Sequence, residues 1–240
     1  MKILDDLISV LNTETELRDI RQGIFHTAVL THNCGLAATL PRDVIRQESP
    51  WVEEPGFLLN KGVPDLIKMA YSEKLLEAAI GMATINSLLD IDESRCEDLN
   101  AGDLIAEKGS GKKVTIVGHF PFTPKLREIA STLWVIEKNP QKDDYGEAEA
   151  KNFIPQSDVV GITGTAFTNH TIESLLEMCR PQAYVVILGD TAPLSPLLFD
   201  YGVSAISGTK VVDPELALRC VSQGATYRQI RGIRKLTLKS

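Results

Sequence analysis

The feature that most constrains this chain is the rhythm of its second half. From residue 112 onward, short and nearly continuous apolar runs alternate with segments of helical periodicity. Strands are expected at 114–118, 133–137, 158–163, 183–189 and 203–206. Helices are expected at 125–130 and 171–178. A further helix is opened by Ser195 and Pro196 and closed by Gly202, and a last one is opened by Asp213 and Pro214 and ends near Gly224. Strands that are apolar along their whole length belong to a parallel sheet covered on both faces. This half is therefore expected to be an α/β unit with a doubly wound, mainly parallel sheet.

The first half has a different pattern. Ile3, Leu4, Leu7, Ile8 and Leu11 recur at helical spacing. Residues 23–31 and 36–40 read as strands of a β-hairpin around His32, Asn33, Cys34 and Gly35. Pro41, Pro50, Pro55 and Pro64 predict irregular structure between them, with Trp51 and Phe57 pinning it to the core. A long helix is expected over 72–89, with Leu75, Leu76, Ala79, Met82 and Ala83 on one apolar face. Asn86 falls on that face and needs hydrogen-bond partners, supplied either by a loop or by a site. Gly81 predicts a close backbone approach. Gly102, Gly109, Ser110 and Gly111 mark a linker, so a small α+β domain at 1–105 and an α/β domain at 106–240 are expected.

The net charge of −7 argues against a general nucleic-acid binder. No apolar run approaches the ~18 residues of a membrane span, and the first residues do not read as a signal peptide. A cytoplasmic protein is expected, so the Asn169-His170-Thr171 glycosylation match carries no weight. The four cysteines form no C-x-x-C and suggest no disulfide framework. Cys179 and Cys220 read as small core side chains. His32 and Cys34 form an H-x-C pair, too few ligands to close a metal site.

Ligands of open parallel sheets sit beyond the carboxyl ends of the strands. The first strand delivers Gly118, His119, Phe120 and Pro121 there. A pyrophosphate cradle needs small residues and free backbone N–H groups. Two phenylalanines and two prolines oppose that, and the turn instead offers an imidazole for acid–base work beside aromatic rings. The plainer alternative is a histidine that caps its strand. Glu137 stands 19 residues after Gly118, where Rossmann-like proteins hold ribose hydroxyls, though such a glutamate can simply be solvated. Thr163, Gly164 and Thr165 form a hydroxyl-rich turn, with Asn169 as a capping residue or a ligand. Gly189, Asp190 and Thr191 follow the fourth strand, and Ser207, Gly208 and Thr209 the fifth.

The stretches GMATINSLL (81–89), VGHFPF (117–122), SDVVGITGTAFTNHTIESLL (157–176) and GDTAPLSPLLFDYGVSAISG (189–208) together resemble the putative heavy-metal chelation family. That resemblance implies an enolase N-terminal-like domain joined to a Rossmann-like domain. It implies a cleft between them, lined by Asn86, His119, Glu137, Thr163 and Asn169. It also implies a role in making or modifying metal-chelating compounds. Gly189-Asp190-Thr191 departs from the family, which often has a serine after Gly-Pro at this strand end.

Three functions follow as expectations. The first is a small-molecule enzyme that condenses or hydrolyses a pterin-, flavin- or siderophore-like compound. His119 and Asn86 would be catalytic, and Gly118, Phe120, Thr163, Gly164, Thr165, Asn169, Gly189 and Thr191 would bind substrate. The second is direct binding of a divalent metal through His32, Cys34, His119 and Asp190. The third is a methyltransferase-like enzyme with S-adenosylmethionine on Glu137. The expected partners are a small-molecule ligand and a second copy of the chain, with no nucleic acid and no membrane.

Overall fold

The computed structural model describes residues 1–40 and 51–240; Pro41 and Pro50 lie outside the described residues. The elements of the first half are α1 (Lys2–Ser9), β1 (Asp19–Gln22), β2 (His26–Leu30), β3 (Cys34–Ala38), α2 (Val63–Lys68) and α3 (Leu75–Leu88), followed by β4 (Cys96–Glu97) and α4 (Ala101–Gly109). The second half runs β5 (Lys113–Val117), α5 (Thr123–Ile129), β6 (Thr132–Ile136), α6 (Ala150–Phe153), β7 (Val159–Thr163), α7 (Thr165–Thr168), α8 (Ile172–Glu177), β8 (Tyr184–Leu188), β9 (Ala205–Val211), α9 (Pro214–Ser222) and β10 (Ile233–Lys239). No helix among the described residues is long and apolar enough to cross a membrane.

The large sheet has the order β4-β10-β9-β8-β7-β5-β6. Five of its strands, β6, β5, β7, β8 and β9, run parallel, while β10 is antiparallel to both β9 and β4. In chain order the parallel strands stand second, first, third, fourth, fifth. That arrangement reverses direction between β5 and β7, which makes the carboxyl ends of those two strands the switch point. The fold is the expected mixed α/β architecture, with a small antiparallel sheet, β1-β2-β3, beside it.

Period-two alternation along the strands feeds two cores. Val160 and Ile162 of β7 and Val185 and Ile187 of β8 face the first half, in one cluster with Leu4 of α1, Val29 of β2 and Ile80 and Ile85 of α3. Val159, Val186 and Leu188 face the other way, against Leu104 and Ile105 of α4 and Leu126 of α5. The hairpin's outer face packs on Ala217, Leu218 and Val221 of α9.

Several sequence expectations change here. Helix α3 is buried on nearly every side rather than along one face, because hairpin strands, α2 and α7 all pack on it. An apolar helix without a polar side is a core helix. The close approach expected at Gly81 is present: a Cβ there would lie 2.0 Å from the Ala70 nitrogen. Gly35 is equally close to α3, with a Cβ position 2.1 Å from the Ala83 carbonyl oxygen. The glycines read as a linker belong to α4, whose buried Leu104 and Ile105 hold it on the sheet; Asn100 caps it by accepting from the Gly102 N–H. Ser207, Gly208 and Thr209 lie inside β9, since β10 pairs with that strand through Val211 and lengthens it. The segment after Ser195 is a 3₁₀ helix, Pro196–Tyr201, without a side-chain cap, though Gly202 closes it in the left-handed region. Phe57 is 64% exposed and pins nothing. Cys34 is buried, but Cys179 and Cys220 are only half-buried, and all four thiols are free.

Candidate functional site

A cavity of about 750 Å³ opens at the switch point, beyond the ends of β5, β6 and β7, with Leu40 and Leu75 of the first half on its opposite side. It is of the size that small-molecule sites usually have. Gly118 follows β5 with φ +102°, and a Cβ there would also press on the Thr163 side chain at 3.1 Å. Only glycine meets both conditions easily. The chain then turns so that Phe120 stacks on Phe122, their centroids 5.2 Å apart, and Phe122 in turn lies against Gly102 of α4. Phe120 still lines the cavity.

His119 stands at the mouth, its side chain 42% exposed, with Nδ1 3.3 Å from Oδ2 of Asp144. The Asp144 side chain is only 1% exposed. It also accepts the Gln141 N–H at 3.1 Å, and Arg127 lies 3.7 Å from Oδ1, an atom that makes no hydrogen bond. A carboxylate accepts only, so the imidazole donates from Nδ1, and in its neutral form the lone pair is on Nε2.

The loop after β6 brings Asp144 there. Tyr145 returns to the sheet, donating its N–H to the Val135 carbonyl at 2.7 Å and accepting the Glu137 N–H at 2.9 Å. Its ring packs on Phe153, which stacks on Trp134 at 5.0 Å. Asp143 turns with φ +72°, a conformation that aspartate tolerates better than most residues. Sequence reading missed Asp144 because 138–151 has no periodicity, and it missed Arg127, on α5, because that residue's partner lies in the same stretch. The available signal was Tyr145, an aromatic in a polar run that required a packing partner.

Glu137 lines the cavity half-buried, with Oε1 accepting the Lys138 N–H at 2.8 Å. Lys138 itself reaches Glu147 at 3.6 Å. Thr163 and Thr165 line the wall with their hydroxyls 3.0 Å apart, and Thr163 Oγ1 also accepts the Thr165 N–H at 3.3 Å. Helix α7 has one turn, so no sustained dipole stands behind this loop. Asn169 borders the cavity and accepts from the Thr171 N–H and hydroxyl, a local turn that leads into α8.

The cavity thus gathers Gly118, His119, Phe120, Glu137, Thr163, Thr165 and Asn169. Gly164, Asn86, Gly189 and Thr191 stand elsewhere. Gly164 packs on the backbone of Ala192, 2.5 Å from a Cβ position. Asn86 donates through Nδ2 to the Leu36 carbonyl at 2.8 Å and the Thr191 carbonyl at 3.2 Å, while its buried Oδ1 has no partner. Thr191 is buried and its hydroxyl accepts the Ala38 N–H at 2.8 Å. Asp190 is buried against His26, Oδ2 to Nδ1 at 2.5 Å. The turn that starts at Gly189 is therefore a joint between hairpin and large sheet.

The metal set does not assemble. His32 contacts Asp90 at 3.3 Å, His119 contacts Asp144, and Asp190 is taken by His26. Burial pushes the Cys34 thiol up to about 12, which keeps it protonated and a poor ligand. No group of three or more His, Cys, Asp or Glu side chains suited to a metal ion occurs among the described residues.

Two family models match, both described as putative heavy-metal chelation: one over residues 4–89 and the DUF364 model over 100–239. An uncharacterized protein of Methanocaldococcus jannaschii is 26% identical over 184 residues, covering 74% of this chain and 71% of the relative. A crystal structure of a DUF364-family protein of unknown function from Desulfitobacterium hafniense superposes with TM-score 0.86 at 25% identity, over 100% of this chain and 98% of the other. One from Pyrococcus horikoshii, of the same family, gives 0.80 at 23%, over 100% and 97%, a likeness of fold.

Proposed function

The chain belongs to the putative heavy-metal chelation family, and we propose that its part in such chemistry is on a small organic molecule and not on the metal itself. The cleft at the switch point is the site. His119 is the acid–base group, held by Asp144, and the reaction is a condensation or hydrolysis on a flat heteroaromatic compound of pterin, flavin or siderophore type.

The observation that carries this reading is the His119–Asp144 contact at the mouth of the cavity. A buried acceptor on Nδ1 fixes the ring and leaves Nε2 to take a proton from a bound molecule and return it. Phe120 offers ring surface, and Thr163, Thr165 and Glu137 offer polar contacts along one wall. This differs from the first sequence reading in its residues: Asp144 replaces Asn86 beside His119, because Asn86 is engaged at the joint. Direct metal binding is disfavoured by the scattered ligand set. A methyltransferase-like reading keeps Glu137 but finds no glycine-rich loop after β5.

Native mass spectrometry of the purified protein, with and without a chelator, tests the proposal. An organic mass that survives the chelator is expected, and a compound so identified should lose turnover with His119→Ala. A stoichiometric metal that the chelator removes, with no organic adduct, would overturn it.

A further inference from the structure

We infer that the ligand of the cleft is amphipathic: a flat polar head at His119 and an aliphatic tail that lies along α8, over the face of the sheet. The inference rests on the proposed function of the cleft and narrows its ligand.

The cavity does not stop at the strand ends. Thr171, Ser174, Leu175 and Met178 all line it. They recur at three- and four-residue spacing, which is one face of α8 together with the residues that flank the helix. From Thr171 to Met178 that face runs about 10 Å. A helix between two parallel strands returns across the sheet, so Met178 stands at the end away from His119. The cavity is therefore a groove that opens at the switch point and continues along the helix.

This far part is apolar. Val117 and Ile136 of the sheet share one apolar cluster with Ala150, Ala166, Leu175 and Met178, and all six line the groove. Protein interiors are close-packed, and side chains larger than alanine at 150 and 166 would fill the space. The polar side chains on the same helix face are engaged. The Ser174 hydroxyl donates to the Thr171 carbonyl at 2.9 Å, and the Thr171 hydroxyl donates to Asn169 Oδ1 at 2.6 Å. Water finds few partners in a gap lined in this way, and hydrocarbon is the better filling. Met178 adds a flexible thioether that adapts to the shape of an apolar guest. The whole cavity, about 750 Å³, lies in the upper part of the range for small-molecule sites, so a condensed ring at His119 leaves room for a tail.

Calorimetric titration of the full chain with the methyl, propyl and heptyl esters of para-hydroxybenzoate tests this, with the phenol ring as the head. Each buried methylene should tighten binding about fourfold, and the heptyl ester should bind roughly a hundredfold or more tighter than the methyl ester, one per chain. Met178→Ser should cut that preference roughly fivefold. In the unaltered protein the Met178 methyl resonance, assigned with Met178→Leu, should shift with the heptyl ester and stay nearly fixed with the methyl ester; this readout decides if Met178→Ser does not fold. Equal binding of short and long esters, an unmoved Met178 resonance, a preference untouched by Met178→Ser, or no ester binding at millimolar concentration would each overturn the inference. His119 imidazole resonances separate the two levels. Esters of every length that shift His119 without a gain from the tail remove the tail and leave the proposed function. A heptyl ester that shifts Met178 and not His119 detaches the groove from the acid–base group and overturns the inference. If no flat compound shifts His119 and no organic mass is found, both fall.

Discussion

Replacing Asn86 with alanine should weaken the fold and leave the cleft's ligand binding intact. Its Nδ2 serves two carbonyl oxygens, Leu36 at 2.8 Å on the hairpin and Thr191 at 3.2 Å on the turn after β8. Each such bond contributes about 1 kcal/mol net, so roughly 2 kcal/mol is lost. The small cavity left by the truncation adds to the cost, and removal of the unpaired Oδ1 subtracts from it by a similar amount. For a chain of this size, 1 kcal/mol moves the midpoint by about 2–4 °C, so a fall of about 4–8 °C is expected. Asn86→Asp should be worse, because a carboxylate would face two carbonyl oxygens with nothing to donate. Differential scanning calorimetry gives the midpoint, and titration with a ligand found by native mass spectrometry gives the cleft. An unchanged midpoint with lost binding would refute the reasoning and return Asn86 to the site.

Other consequences are equally direct. Asp190→Ala leaves buried His26 without its partner and should cost about 3–5 kcal/mol in urea unfolding, with the hairpin the first region to exchange its amides; a cost under about 1 kcal/mol would mean that the pair is not integral to the joint. Burial holds the Cys34 and Cys179 thiols up at about 12, so at pH 8 only about one part in 10⁴ is thiolate, and iodoacetamide should label neither until denaturant is added. The Lys113 N–H, with the Arg180 guanidinium, holds the Asp158 carboxyl below the usual carboxylate range. Its contribution should be complete above about pH 4 and vanish as pH falls through the lower folded value. The stability gap between wild type and Asp158→Asn should therefore narrow from pH 7 to pH 3, and a constant gap would contradict the assignment.

Much of the second half could be read from the chain because local chemistry and tertiary structure agree there. Apolar runs in 158–163 and 183–189 became β7 and β8, and Asp213 caps α9 through the Leu216 N–H as its sequence suggests. Strand ends were harder. Gly118, His119, Phe120 and Glu137 meet at one cavity because β5 and β6 are neighbours, which follows from strand order and not from any motif. Thr191 looked like a ligand for the same reason that it is a joint: a hydroxyl at a strand end finds a partner, and sequence does not say whether that partner is a molecule or the Ala38 backbone. Asp144 was illegible because its position depends on Tyr145 rejoining the sheet beside β6. The two-residue β4 and the antiparallel pairing of β10 were hidden likewise, since β10 pairs with both β9 and β4, a segment far back in the chain.

The strand ends divide their duties: β5, β6 and β7 feed the cleft, while the turn after β8 meets the hairpin and α3. On the proposed function, selection for chemistry and selection for assembly act on different residues. Descendants of one ancestor can exchange Phe120, Glu137 or Thr165 and acquire a new substrate without reopening the seam between hairpin and sheet. A change at Asp190 or Thr191 in this chain acts on the seam, whatever the cleft binds. A scaffold partitioned in this way can diversify quickly in what it recognises while its outline stays fixed.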